Sequence, residues 1–324
     1  MPWKHALGSL FARCAAQAIP SRLLAGRPYF QIWENQGVHA VKADFTSPIP
    51  LASDLDGHRW AEPLFEKGVD YRLADQLRLL DRFSERYGRE IDTFPDGPQL
   101  DPIQFYFRNG WFEKVDAEIL YCLVRDLKPN KVIEVGSGIS TRLIAAALTE
   151  NNRDAPERRG QLLSIEPFPN RLVADQYPGL LKLLVKPVQT VPLEEFQQLD
   201  ANDILFIDSS HICRTGGDVV FEICEVLPLL KEGVYVHFHD IYLPYEYPEL
   251  LVRHDRDLYT EQYLLHAFLA FNPLFEVVWA SYLMKSRHLD RLKARLRSIS
   301  VEHLPPERFL PSSIWLRKGA GTRS

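Results

Sequence analysis

From Lys131 onward the chain alternates short apolar runs with helix-patterned segments, and this alternation narrows the fold more than any other feature. The runs read "KVIEVG", "QLLSIEP", "LKLLVKP", "DILFIDSS" and "GVYVHFHD". Between them lie "STRLIAAALTE", "NRLVADQYP", "PLEEFQQL" and "GGDVVFEICEVLPLL". Short strands that are apolar at nearly every position are covered on both faces, which calls for helices on each side of a parallel sheet. A further helix, "YTEQYLLHAFLAFN", precedes two more strands, "FEVVWASYL" and "SSIWLRK". "SRHLDRLKARLRS" lies between those two, and their relative direction stays open. The expectation is an α/β fold: a doubly wound, mostly parallel, seven-stranded sheet.

The first hundred residues read differently. They are Pro-rich and irregular, with one amphipathic helix at "YRLADQLRLLDRFSERYG". We therefore expect an N-terminal helical and irregular extension over 1–100, acting as a lid or accessory region, and a sheet domain over 101–318. The stretch from Met1 to Gln31 holds Lys and Arg but no Asp or Glu, and "LGSLFARCAAQAIPSRLL" is amphipathic. A surface helix is the expectation there; membrane contact, a partner helix and a transit peptide are weaker readings. No apolar run reaches the roughly 18 residues of a membrane span. A net charge of −5 gives no global basic excess, so no nucleic-acid partner is expected. Four scattered cysteines without a C-x-x-C argue against a zinc cluster or a disulfide framework and fit a reducing, cytoplasmic compartment.

The first strand runs into "EVGSGIST". Gly136 and Gly138 let the backbone approach a ligand closely, and the helix after them offers free N–H groups. In an open parallel sheet, ligands sit beyond the carboxyl ends of the strands. Glu134 lies inside the apolar strand, where an unpaired carboxylate is costly, so it needs a donor or cation partner. Glu166 ends the next strand in "SIEP", where an acid can take the two hydroxyls of a ribose. The third glycine of a dinucleotide fingerprint is missing, with Thr141 in its place. A nucleoside without a diphosphate, with a cationic group near Glu134, fits better than a dinucleotide.

"VIEVGSG", "SIEP", "NDILFIDSSH" and "GVYVHFHDI" together resemble the class I S-adenosylmethionine-dependent methyltransferases, over roughly residues 100 to 318. The "FIDSSH…HFHDI" pair is similar to bacterial small-molecule and sugar O-methyltransferases within that superfamily. The resemblance implies a Rossmann-like sheet and S-adenosylmethionine as cofactor. Gly136 and Gly138 would line its methionine part, with Ser137 and Ser140 as hydrogen-bonding neighbours. Glu134 would sit near the ammonium, Glu166 would hold the ribose, and Val188 and Gln189 would flank adenine.

Methyl transfer to a hydroxyl needs an aligned nucleophile and a way to remove its proton. Asp208 ends "ILFID" with His211 three residues on, and His239 and Asp240 end "VYVHFHD". On neighbouring strands, about 4.8 Å apart, these four would converge as catalytic residues. Two readings stand. Asp208 and Asp240 could hold Mg²⁺ or Mn²⁺; or His211 or His239 acts as a base oriented by an aspartate. His237 is expected in the core. "IYLPYEYPEL" reads either as a stacking wall for the acceptor or as ordinary packing, and "FYFRNGWF" either as a lid or as core. The acceptor would be a small molecule or a glycan intermediate, and whether the chain forms a homo-oligomer is left open. The competing classes are a nicotinamide-dependent oxidoreductase and a non-catalytic nucleoside-binding scaffold. The missing third glycine and the lack of a Tyr-x-x-x-Lys pair weigh against the first; the acids and histidines at two strand ends weigh against the second.

Overall fold

A computed structural model describes residues 14, 26–39, 41–157, 159–169, 177, 180–299 and 309–320. The expected N-terminal amphipathic helix and the short helix at "NRLVADQYP" fall outside the described residues. The chain divides into two compact units, Met1–His58 and Arg59–Ser324. In the first, the described elements are a short helix, Phe30–Glu34, and single 3-10 turns before and after it.

The larger unit holds one seven-stranded sheet. In chain order its principal elements are α1 (Leu73–Ile91), α2 (Lys114–Leu127), β1 (Lys131–Val135), α3 (Ile139–Asp154), β2 (Gln161–Ile165), β3 (Leu181–Leu184), α4 (Leu193–Gln197) and β4 (Ile204–Ile207). The helix α5 follows, running from Asp218 to Leu229 through a π-helical stretch at Glu222–Val226. Then come β5 (Tyr235–Phe238), α6 (Glu261–Ala270), β6 (Phe275–Ala280), α7 (Ser281–Arg295) and β7 (Ile314–Lys318). The strand order is β3-β2-β1-β4-β5-β7-β6. The first five strands pair in parallel, and β7 runs antiparallel to both β5 and β6. This is the expected Rossmann-like α/β fold, and it settles the direction of the last two strands. The final strand inserts between β5 and β6 and so reverses against each. "SYL", read as the end of a strand, is the first turn of α7.

Period-two alternation separates two cores, one on each face of the sheet. Ile133, Val135, Leu205, Ile207, Val236 and Phe238 face α4, α5 and α6. Val132, Leu162, Ile204, Phe206 and Trp315 face α1, α2, α3 and α7. Helix α1 buries Leu80, Phe83, Tyr87 and Ile91 in that second core. Buried Arg125 of α2 ties it down further, with Nε 2.7 Å from Glu90 of α1 and Nη2 2.8 Å from Asp154 of α3. Helix α1 therefore packs with the sheet, within the compact unit that begins at Arg59. No helix among the described residues is long and apolar enough to cross a membrane.

Candidate active site

The parallel register brings four strand tips together. Val135 sits opposite both Ile165 and Ile207, and Ile207 opposite Phe238. The residues immediately beyond, Gly136, Glu166, Asp208 and His239, therefore lie along one edge of the sheet, at the carboxyl ends where open α/β sheets bind ligands.

Gly136 has φ +85°, and a Cβ on it would lie 2.0 Å from the carbonyl oxygen of Asp208. Only glycine lets the first turn cross so close to the end of β4. A Cβ at Gly138 would meet nothing within 4 Å, so space for a ligand opens there. Beneath the turn Glu134 is fully buried on the α3 side of the sheet. Its carboxylate accepts from the hydroxyls of Ser140 at 2.9 Å, Thr141 at 2.8 Å and Ser164 at 3.1 Å. Thr141 Oγ1 in turn accepts from the Gly138 N–H at 2.9 Å. The sequence required a partner for Glu134, and the structure supplies three hydroxyls. Burial pushes its pKa up to about 8 against the pull of those donors. Glu134 thus braces the turn from below.

Ser137 and Glu166 join the first two turns. Glu166 accepts from the Ser137 N–H at 3.1 Å and the Phe168 N–H at 2.7 Å, linking the turns after β1 and β2. Ser137 Oγ is buried without a partner, a polar atom that a bound cofactor would satisfy. Gln189, in the turn after β3, donates toward the Gly216 carbonyl at 3.4 Å, and its neighbour Val188 is buried. An unsatisfied hydroxyl, an open glycine and an acid at the next strand tip fit the methionine and ribose ends of S-adenosylmethionine.

Asp208, His211 and Asp240 form the second cluster. Asp240 adopts φ +53°, which turns its side chain off the regular strand direction and back toward β4. His211, itself at φ +59°, is buried. Its Nε2 stands 3.3 Å from Asp208 Oδ1 and 3.5 Å from Asp240 Oδ2. Its Nδ1 lies 2.9 Å from Glu261 Oε2. The N–H groups of Thr260 and Glu261 both bond the His211 carbonyl, at 2.9 and 3.1 Å, so the start of α6 holds ring and backbone together. Burial alone would lower the pKa of His211, but Asp208 and Glu261 outweigh it and raise it well above the usual value. Burial would raise Asp208, yet His239 and His211 hold it at about 2. His239 is buried against Phe112, with ring centroids 4.9 Å apart, and its Nδ1 has no partner. Burial disfavours its charge, but Asp208 and Asp240 draw its pKa up.

Asp208 and Asp240, expected as metal ligands or as partners of a histidine base, both face His211. The His211 Nε2 stands between the two carboxylates, 3.3 and 3.5 Å from them. Among the described residues, no three His, Cys, Asp or Glu side chains gather as ligands. His237 is a core histidine: fully buried, it stacks on Phe206 with centroids 3.9 Å apart and pairs with Ser313 Oγ at 2.9 Å. Burial depresses its pKa well below the ordinary value.

Two of the aromatic segments resolve. Tyr242 and Tyr247 are buried and pack edge-on against Tyr282, Tyr259 and Tyr263, so "IYLPYEYPEL" is packing. In "FYFRNGWF", Phe105, Phe107 and Phe112 are core, while Trp111 is exposed and lines a cavity of about 390 Å³ that His239 and Asp240 also border. Sequence reasoning missed Glu261 and Asp116. Glu261 reads as an ordinary first-turn acid of α6. Asp116, in the first turn of α2, accepts from the N–H groups of Ser312 at 2.8 Å and Ser313 at 3.0 Å. Ser312 then donates to Asp240 at 3.0 Å and Ser313 pairs with His237, so Asp116 fixes the segment that braces the site.

Residues 133–241 match the model of a methyltransferase-domain family. An uncharacterized protein of Archaeoglobus fulgidus is 31% identical over 175 residues, 49% of this chain and 73% of its own length. Two solved structures of CmcI, its apo form and its S-adenosylhomocysteine form, align over 72% of this chain and 84% and 91% of theirs. Both are at 15% identity, with TM-scores of 0.39 and 0.37. The matched stretch begins inside β1 and ends just past Asp240, and so spans both clusters at the strand tips. The match favours the methyltransferase reading over the nicotinamide one: residues 133–241 form a methyltransferase domain, as the resemblance of the strand-tip motifs led one to expect.

Proposed function

We propose that the enzyme methylates a hydroxyl oxygen of a small molecule or glycan intermediate, with His211 as general base. The observation that carries this reading is the placement of the His211 imidazole. It is clamped at Nδ1 by Glu261, while Nε2 faces Asp208 and Asp240 beside the cavity that opens past His239. S-adenosylmethionine supplies a methyl carbon already activated by its sulfonium. What remains for the protein is to align the acceptor and take its proton.

Gly136, Gly138 and Ser137 would receive the methionine end, Glu166 the ribose, and Gln189 the adenine side. His211 Nε2 would receive the acceptor proton. Asp208 and Asp240 would stabilise the imidazolium that forms, and Glu261 would keep the ring from rotating. No step is routed through a metal. Because three carboxylates favour the charged imidazole, the neutral base becomes abundant only as pH rises. Turnover is therefore expected to increase above neutral pH.

The test is mass spectrometry of a cell extract incubated with purified protein and S-adenosylmethionine, seeking metabolites that gain one methyl group. With the acceptor in hand, Glu166→Ala should weaken cofactor binding, and Asp208→Ala should mainly lower turnover. Intact turnover in Asp208→Ala, or methyl gain on nitrogen or carbon alone, would remove this reading.

A further inference from the structure

We infer that the cavity beside His239 and Asp240 takes a ring-bearing alcohol that also carries an acidic group, a carboxylate or a phosphate, with its ring against Trp111 and its acid at Arg108. The inference rests on the methyltransferase reading for the role of acceptor site, and on the cavity itself for the chemistry.

At about 390 Å³ the cavity is the size of a small-molecule site. One end is formed by His239 and Asp240. His239 is buried, and its Nδ1 has no partner among the described residues, so polar capacity is left unsatisfied at the wall of the cavity. A hydroxyl-bearing ligand would meet it there.

Trp111 also borders the cavity and is 83% exposed. The turn that presents it is built to hold its shape. Asn109 Oδ1 accepts from the N–H groups of Trp111 at 2.9 Å and Phe112 at 2.8 Å, and its Nδ2 donates to the Tyr106 and Phe112 carbonyls at 2.9 and 2.8 Å. Gly110 at φ +80° completes the turn, its N–H donating to Glu113. A large indole on a fixed turn offers a flat face for a sugar or aromatic ring.

Charge decides the rest. Each acid that borders the cavity already has protein partners. Asp116 accepts from two backbone N–H groups, Glu113 from Gly110, and Asp240 from Ser312, while Asp96 lies 3.6 Å from Arg297. Arg108 is anchored through its own N–H to the Asp96 carbonyl at 2.8 Å, and its guanidinium pairs with no carboxylate among the described residues. Lys114 adds a second cation nearby, its Nζ 4.8 Å from the centre of the Phe309 ring, which also lines the cavity. A planar guanidinium with no carboxylate partner among the described residues is suited to a carboxylate or phosphate.

Tryptophan fluorescence of the full chain, titrated in the presence of S-adenosylhomocysteine, tests this, with Trp111→Phe identifying the responding indole. The probes are 3-hydroxybenzoate against 3-hydroxybenzamide, and glucuronate and glucose 6-phosphate against methyl glucoside. The arms separate an aromatic acid, a sugar acid and a sugar phosphate. At least one acid should bind roughly tenfold more tightly than its neutral counterpart, as expected for one charge-assisted contact. Arg108→Ala should erase that preference, and Arg108→Lys should restore part of it. Equal affinities for acid and neutral probes, no acid binding up to about 10 mM, or an unchanged preference in Arg108→Ala would each overturn the inference. Calorimetry with S-adenosylhomocysteine on the same preparation keeps the two readings apart. Failure there would sink the methyltransferase reading, while acid preference in the cofactor-free protein would remain measurable.

Discussion

Three residues of the site carry consequences that can be measured singly. Gly136 combines φ +85° with a Cβ position 2.0 Å from the Asp208 carbonyl oxygen. Gly136→Ala should destabilise the fold by roughly 2 kcal/mol or more and abolish S-adenosylhomocysteine binding, measured by denaturant unfolding and calorimetry. Glu134 has a folded-state pKa of about 8, above its ordinary value of 4.5. Between those values the folded chain binds more protons than the unfolded chain, so its contribution to stability falls as pH rises through that window. Thermal unfolding should show Glu134→Gln gaining on the wild type between about pH 5 and 8, with the gain levelling off above that range. A constant difference across that range would show Glu134 to be ionised throughout. Glu261 carries charge against the Nδ1 edge of His211. Glu261→Gln should lower the His211 pKa, so the alkaline rise in turnover moves to lower pH while the maximum drops by roughly 10²-fold. NMR titration of His211 reads the first effect apart from the second.

At the scale of elements, the site depends on contacts between segments far apart in the chain. The first turn of α2 reaches the start of β7, about 200 residues away, through Asp116. That contact fixes Ser312 against Asp240 and Ser313 against His237. Asp116→Ala would leave two buried N–H groups without an acceptor, at a cost on the order of 3 kcal/mol. A fall in Tm together with weakened turnover is expected, and Asp116→Asn, which keeps one acceptor oxygen, should recover part of both. The start of α6 plays a comparable role for His211, holding ring and carbonyl from one turn. Helix α1 could be read as an amphipathic helix, but not as a layer of the sheet domain. Its place follows from Arg125, which joins α1, α2 and α3.

On the scale of the whole molecule, residues 59–324 form a compact unit that contains both clusters and the cavity. A fragment beginning at Arg59 should therefore unfold in one cooperative transition and bind S-adenosylhomocysteine as tightly as the full chain, which calorimetry and denaturation can check. Loss of binding in the fragment would show that the first 58 residues contribute to the cofactor site. The doubly covered sheet was legible because strands such as "ILFI" are apolar on both faces, which only helices on both sides can satisfy. The glycine turn, Glu166 and the two aspartate-bearing strand ends could be picked out as candidates because each is local, a few residues wide and tied to a strand terminus. Glu261, Asp116 and the exposed Trp111 were not, because nothing in their local sequence distinguishes them from a first-turn acid or a core aromatic. The local pattern of apolar runs thus determined the layers, and with them the edge on which a ligand must lie. The partners of each polar group were decided only by the three-dimensional packing, because a hydrogen bond between residues 50 to 200 apart leaves no periodic trace in the chain. That is why Glu261 at the Nδ1 edge of His211, and Asp116 beneath Ser312 and Ser313, emerge only in the folded chain.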